Sequence, residues 1–298
     1  MIETVFYLPW EVSLQIFIQS YVNGFVLEFF RVSSDLLASR SVFIFCALIY
    51  WVYDKELGKL SAIALACTNI VTGFLKSMFA RVRPYVANPE IKGLHPPTPG
   101  ESMYDSSIMF TSFPSGHVSA NTAIWSEIVL YIRNRYALIL AVVVTLIVAI
   151  ARIGLGVHYP TDVMAAFVEA IIISVAVYYL FTKIENRTMV YIGLIIVSII
   201  IMVLYNNSSI FSAGGAMIGV CCGFLVEEKY INFEVKRTWA SAIVKIALGV
   251  IIYMAMTFIV KNYLGDFGII SKIIKLGLVN FILFGLYPFA FEKMDEII

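Results

Sequence analysis

Apolar blocks roughly twenty residues long recur along this chain, and nothing else in it restricts the fold so tightly. Inside hydrocarbon a backbone finds no water, so each N–H and C=O must be satisfied within the segment, which a helix does. About 20 helical residues cross the ~30 Å of a bilayer core. Blocks of this kind lie at about 37–53, 59–79, 116–132, 137–154, 160–181, 188–205, 211–226, 239–261 and 270–291. The chain is therefore expected to be an all-α, polytopic membrane helix bundle with about nine spans. Composition agrees, with 60% hydrophobic and 14% charged residues, where soluble domains run nearer roughly a half and a quarter. A net charge of +1 leaves no basic stripe to follow a nucleic-acid backbone, so no such partner is expected.

The cysteines Cys46, Cys67, Cys221 and Cys222 all sit in apolar blocks, without Cys-x-x-Cys or Cys/His spacing. They read as packing residues, not as a zinc site or a disulfide framework. The chain opens Met1-Ile2-Glu3 and no Lys or Arg precedes Arg31, so a cleaved signal peptide is not expected. Residues 11–33 place Leu14, Phe17, Ile18, Tyr21, Phe25 and Phe29 at helical spacing, interrupted by Glu28 and Arg31. That pattern predicts a helix lying in the membrane interface. Residues 81–113 form a long, proline-rich polar connection, usually either functional or disordered in a compact protein. Gly215, Gly219 and Gly223 recur every fourth residue, a small-residue ridge suited to helix packing or a subunit contact.

Orientation follows from the basic residues of the short loops. Lys55 and Lys59, Arg133 and Arg135, Lys183 and Arg187, and Lys229, Lys236 and Arg237 all fall on one side, which the positive-inside rule makes cytoplasmic. Lys261, Lys272 and Lys275 fall on the other. That opposite, extracytoplasmic face also receives the 81–113 connection, the start of the block at 116 and a break at 154–160.

Three polar clusters meet at that face. The first is Lys76, six residues, then Arg83-Pro84; the second is Pro114-Ser115-Gly116-His117; the third is Arg152, five residues, His158, three residues, then Asp162. In the second, Gly116 allows close backbone approach and the first helix amides have no intrahelical acceptor, which suits an anion. Two arginines and a lysine near a bilayer edge repel one another unless an anion sits between them. Phosphate or pyrophosphate is the natural candidate, since guanidinium forks match its oxygens. Asp162, four residues after His158, can place a carboxylate against one ring nitrogen, fix the tautomer and leave the other nitrogen to attack. His117 can protonate the departing oxygen. No carboxylate cluster suggests a metal, and the chemistry calls for no cofactor.

In this order the three clusters resemble the signature of the type 2 phosphatidic acid phosphatase superfamily, over roughly residues 15–182; Ala151 stands where that family usually carries serine. The resemblance implies His158 as a nucleophile that becomes phosphorylated, Asp162 as its partner and His117 as general acid. It implies Lys76, Arg83, Ser115, Gly116 and Arg152 as phosphate ligands, and a six-span core that includes the N-terminal interfacial helix. The expected division is 1–36 for the interfacial region, 37–182 for the catalytic core and 183–298 for additional C-terminal spans. The expected function is an integral cell-membrane phosphatase acting on a lipid phosphate or pyrophosphate. Transfer to another acceptor, or a silent scaffold or transport protein, are the alternatives. The extra spans read as a packing module or a surface for a homo-oligomer.

Other polar residues read more plainly. Glu169 shares a helical face with Asp162 and either supports the site from below or meets a structural partner, as does Glu127. Arg81 reads equally as a headgroup contact or a solvated loop cation. Tyr85, Tyr104 and Tyr159 either line a headgroup pocket or belong to an aromatic belt. His95 reads as a loop residue.

Overall fold

In the computed structural model every regular element is helical, and no strand occurs among the described residues, 6–36, 39–97, 102–236, 238–263 and 268–297. The Met1-Ile2-Glu3 start and Arg237 of the orientation argument lie outside them. The expected interfacial helix is two helices, α1 (Pro9–Gln19) and α2 (Gly24–Leu36). At ~1.5 Å per residue neither is long enough to cross hydrocarbon. A proline opens α1, and Gly24 starts α2 with φ +46°, so the chain turns between them. Phe17, Tyr21, Phe25 and Phe29 are exposed, whereas Glu11 and Gln15 are buried.

The later helices are α3 (Ser39–Leu48), α4 (Lys55–Phe79), the short α5 (Pro84–Ala87) and α6 (Ser106–Met109), then α7 (Gly116–Ile132), α8 (Arg135–Gly154), α9 (Pro160–Lys183), α10 (Arg187–Leu204), α11 (Ser208–Val226), α12 (Trp239–Asn262), α13 (Ile269–Phe281) and α14 (Phe291–Ile297). Their starts are legible in the chemistry. Asn134, Asn186 and Asn207 cap α8, α10 and α11 by accepting from the amides of Tyr136, Met189 and Ser209. Among the described residues, seven helical segments are long and apolar enough to cross a membrane: Lys55–Phe79, Arg135–Gly154, Pro160–Lys183, Arg187–Leu204, Ser208–Ile231, Trp239–Val260 and Ile269–Glu296. The protein is thus a multi-pass membrane protein. Of the nine expected spans, the blocks at 37–53 and 116–132 are helices below that length: α3 continues through a π-helical turn Ile49–Tyr53, and α7 has 17 residues.

The described residues of Met1–Val42 and Val71–Ile173 form one compact unit, and those of Phe43–Ile70 and Ser174–Ile298 a second. In the first unit, α1, α2 and α7 all pack on α8. Val118, Val148, Ala149, Ile153, Val163 and Ala166 form its core, and Tyr85, Ile91, Leu155 and Val157 seat the proline-rich connection over the break between α8 and α9. Gly156 stands in that break with φ +79°, and a Cβ there would lie 2.2 Å from the carbonyl oxygen of Lys92. Only glycine permits both the turn and that approach.

In the second unit α11 packs along α13 and α10. The glycine ridge is used here: a Cβ on Gly219 would lie 2.1 Å from the carbonyl oxygen of Gly277, so the two backbones touch directly. π-helical turns also occur at Glu227–Ile231 and Ile282–Leu286. Around them Tyr50 packs against Phe224, Phe233 and Phe284, with ring centroids 5.4, 5.1 and 5.7 Å away. The indole of Trp51 donates to the Leu283 carbonyl at 3.1 Å, supplying a donor where a π-turn disturbs the helical ladder.

Candidate active site

Lys76 stands in the last turn of α4 and Arg83 just beyond it, because the helix ends at Phe79 and Pro84 opens a new short turn. Lys76 Nζ donates to the Thr111 carbonyl at 2.5 Å. The guanidinium of Arg83 donates to the carbonyls of Ile108 (2.8 Å), Val157 (2.7 Å) and Thr111 (3.2 Å), and Nη1 lies 3.3 Å from His158 Nε2. Arg83 therefore ties the proline-rich connection to the α8–α9 break, with His158 between them. Burial pulls Arg83 down to about 10, which leaves it charged at neutral pH.

His158 Nδ1 lies 2.8 Å from the Ser112 carbonyl oxygen. A carbonyl only accepts, so Nδ1 carries the proton and Nε2 of the neutral ring presents its lone pair beside Arg83. Burial, together with Arg83, Arg152 and Lys76, holds this imidazole well below its ordinary range, against the pull of the Ser112 bond. Asp162 is 3.5 Å from Nδ1 through Oδ2, beside the ring but beyond a short hydrogen bond. It accepts from Ser112 Oγ (2.5 Å), the Tyr159 amide (2.8 Å) and Arg81 Nη1 (2.5 Å). The i, i+4 spacing thus brings Asp162 to the ring, while a backbone carbonyl from a distant loop sets the tautomer.

Ser115 precedes α7, and its amide donates to the Asp162 carbonyl at 3.1 Å. Its hydroxyl makes no cap bond, and among the described residues Ser115 Oγ and His117 Nε2, both buried, find no hydrogen-bond partner. A Cβ on Gly116 would lie 3.9 Å from Lys76 Cε, so the start of α7 abuts the lysine stem. The electrostatic neighbours of His117 are Arg152, His158, Arg83 and Lys76. Arg152, buried at the end of α8, donates to Ser34 Oγ and to the Pro97 carbonyl at 3.0 Å, and its Nε has no partner. All three sequence clusters therefore meet. Among the described residues, Lys76, Arg83 and Arg152 form no ion pair; their partners are uncharged oxygens and, for Arg83, the His158 ring nitrogen. A group of cations and unpartnered donors like this can hold a multiply charged oxyanion.

Sequence reasoning missed four contributors. Arg81 is fully buried, not solvated, and pairs with Asp162 and with Glu11. Glu11 and Gln15, on the helix expected to lie in the interface, sit buried inside the unit. Their i, i+4 spacing was the available signal. Ser112 had none, since it acts partly through its carbonyl. Glu169 accepts from Thr72 Oγ1 at 2.7 Å and Ser119 Oγ at 3.2 Å, a structural partnership within reach of the Lys76 charge. Tyr159 accepts from Asn88 at 3.0 Å and Tyr85 donates to the Met103 carbonyl, while Tyr104 is exposed. His95 pairs with Asp35 at 2.7 Å.

Residues 58–186 match the family model described as PAP2 superfamily, and residues 211–296 match the one described as PAP2 superfamily phosphatase, transmembrane extension. No curated protein and no solved structure matches the chain.

Proposed function

The chain belongs to the PAP2 superfamily, and from that premise we propose that it is an integral membrane phosphatase that cleaves a lipid phosphate or pyrophosphate through a phosphohistidine. One observation carries the reading. Among the described residues, three cations without carboxylate partners surround two imidazoles, and the buried Ser115 Oγ, His117 Nε2 and Arg152 Nε have no hydrogen-bond partner. Such a set stabilises negative charge and would otherwise repel itself.

In the first step the lone pair of His158 Nε2 attacks phosphorus as the bond to the leaving oxygen breaks. His117 gives that oxygen its proton. The Nδ1 proton stays in its bond to the Ser112 carbonyl, and the positive charge on the ring is met by Asp162. Lys76, Arg83, Arg152, Ser115 Oγ and the first amides of α7, including that of Gly116, stabilise the equatorial oxygens. In the second step His117 takes a proton from water, the water oxygen bonds to phosphorus, the P–N bond breaks, and inorganic phosphate leaves. The charge compensation comes from side chains, so this route asks for no metal. The lipid arrives through the bilayer, the site faces the extracytoplasmic side of the cell membrane by the positive-inside argument, and the C-terminal spans serve as a packing or self-association module.

The test is a panel assay on the purified protein with phosphatidate, phosphatidylglycerophosphate, sphingosine phosphate and a polyprenyl pyrophosphate. One of them should release phosphate, and His158→Ala should abolish both release and acid-labile labelling by radioactive phosphate. Supplying an alcohol acceptor distinguishes transfer from hydrolysis. A soluble aryl phosphate given outside sealed cells reads the sidedness. Release by His158→Ala at the wild-type rate would sink the proposal.

A further inference from the structure

Helix α1 turns Glu11 and Gln15 inward, one turn apart and both fully buried. Gln15 Nε2 donates to the carbonyls of Ile153 (2.9 Å) and His158 (3.1 Å), so α1 braces the loop that carries the nucleophile. Glu11 reaches further. Its Oε2 accepts from Arg81 at 2.9 Å and from the Leu8 amide at 2.7 Å. Its Oε1 accepts from the amide and hydroxyl of Thr161, at 3.1 and 2.5 Å. Arg81 in turn donates to Asp162 Oδ1 at 2.5 Å and to Thr161 Oγ1 at 2.7 Å. Its guanidinium sits between the rings of Phe6 and Tyr159, 4.7 and 4.2 Å from their centroids. Asp162 Oδ2 accepts from Ser112 Oγ, and the Ser112 carbonyl takes the His158 proton. The path Glu11–Arg81–Asp162–Ser112–His158 is unbroken.

Charge gives this path a purpose. Arg81 alone would cancel Asp162, leaving nothing to oppose the cation that forms on His158 during attack. With Glu11 included, the trio keeps one net negative charge behind the ring. The groups that face His158 from the other elements are Lys76 on α4, Arg83 after it, His117 on α7 and Arg152 on α8, none of them anionic. Glu169 on α9 bonds to Thr72 and Ser119.

We propose that Glu11 and Arg81 are positioning residues of the phosphoryl-transfer site: they hold Asp162 and the Ser112 carbonyl against His158 Nδ1 and leave one uncancelled negative charge behind the ring. This rests on the phosphatase reading above and extends it to a helix outside the matched 58–186 region.

The experiment uses purified full-length protein with dioleoyl phosphatidate and p-nitrophenyl phosphate in detergent micelles. With whichever ester is turned over, Glu11→Gln should lower kcat about 10–100-fold while KM changes by less than about threefold, the scale of a misplaced reacting group. The acid limb of kcat/KM should move to lower pH, because removing a negative charge near the ring disfavours the imidazolium. Glu11→Asp should restore part of kcat and return the limb toward wild type. A bracing role alone would lower the melting temperature of Glu11→Gln and leave kcat per folded molecule and the limb in place; that outcome overturns the proposal. If Glu11→Gln does not fold, Arg81→Lys decides. A lowered kcat with the limb unmoved supports the proposal, since the charge is kept and the fork lost, and a wild-type kcat overturns it. Measured alongside, His158→Ala separates the two levels. If it is inactive while Glu11→Gln behaves as wild type, only the positioning role fails; if it is active, the phosphatase reading itself fails.

Discussion

The two compact units of the protein treat the charges they bury or half-bury differently. In the first compact unit, Lys76, Arg83 and Arg152 spend their donors on carbonyls and a hydroxyl, and no carboxylate closes on them among the described residues. In the second unit, Lys55 pairs with Glu227 at 2.7 Å, Lys59 with Glu228 at 2.6 Å and Arg187 with Glu56. Three cations there meet three carboxylates, and Tyr191 adds a hydrogen bond to Glu228 at 2.9 Å. Buried charge alone therefore does not mark a site. A cluster that balances itself is a fastening, whereas one left with an excess of one sign is complete only with a counter-charged ligand.

Three substitutions test that contrast, taken from the largest expected effect to the smallest. Removing the proposed acid from the unbalanced cluster with His117→Ala should slow phosphate release about 10²–10⁴-fold. The loss should be smaller for an ester with a good leaving group, and melting in detergent should be nearly unchanged. Equal losses for both leaving groups would deny His117 its proton-donor role. Lys59→Met strikes the balanced cluster and leaves Glu228 without its ammonium partner. It should destabilise by about 3–5 kcal/mol, seen as a lower melting temperature, with turnover per folded molecule retained. Lost turnover in a well-folded Lys59→Met protein would erase the distinction between the clusters. Tyr191→Phe removes one hydrogen bond from the same carboxylate and should cost about 1.5 kcal/mol, measured by the same melting curve.

How legible each cluster was in the sequence differs for a physical reason. Lys76, Arg83, Ser115, Gly116, His117, Arg152, His158 and Asp162 stand at helix ends and breaks, at short fixed spacings, so local rules place them in three groups. The helices that carry them were also readable, because a hydrophobic run of suitable length has few other stable forms. Two ion pairs of the second unit, Glu56 with Arg187 and Lys59 with Glu228, join residues more than 130 positions apart. No local pattern pairs them. The basic residues counted toward orientation include Lys55, Lys59 and Arg187, which the fold commits to carboxylates as well. The glycine ridge left helix packing and subunit contact equally open, and Gly219 against Gly277 shows packing within the chain.

Periodicity and motif spacing by themselves determined that this protein is helical, crosses a membrane several times and gathers cations around two imidazoles. Those properties depend on neighbours within a turn or two, or on the length of an apolar run. Tertiary structure alone decided that the Ser112 carbonyl, and not Asp162, takes the His158 proton, and that Arg81 faces inward between two carboxylates. It also decided that a polar pair on α1 faces inward, with Gln15 bracing the loop that carries His158. A carbonyl has no signature in a sequence, and whether an arginine meets water or a carboxylate depends on which distant segment comes to lie over it.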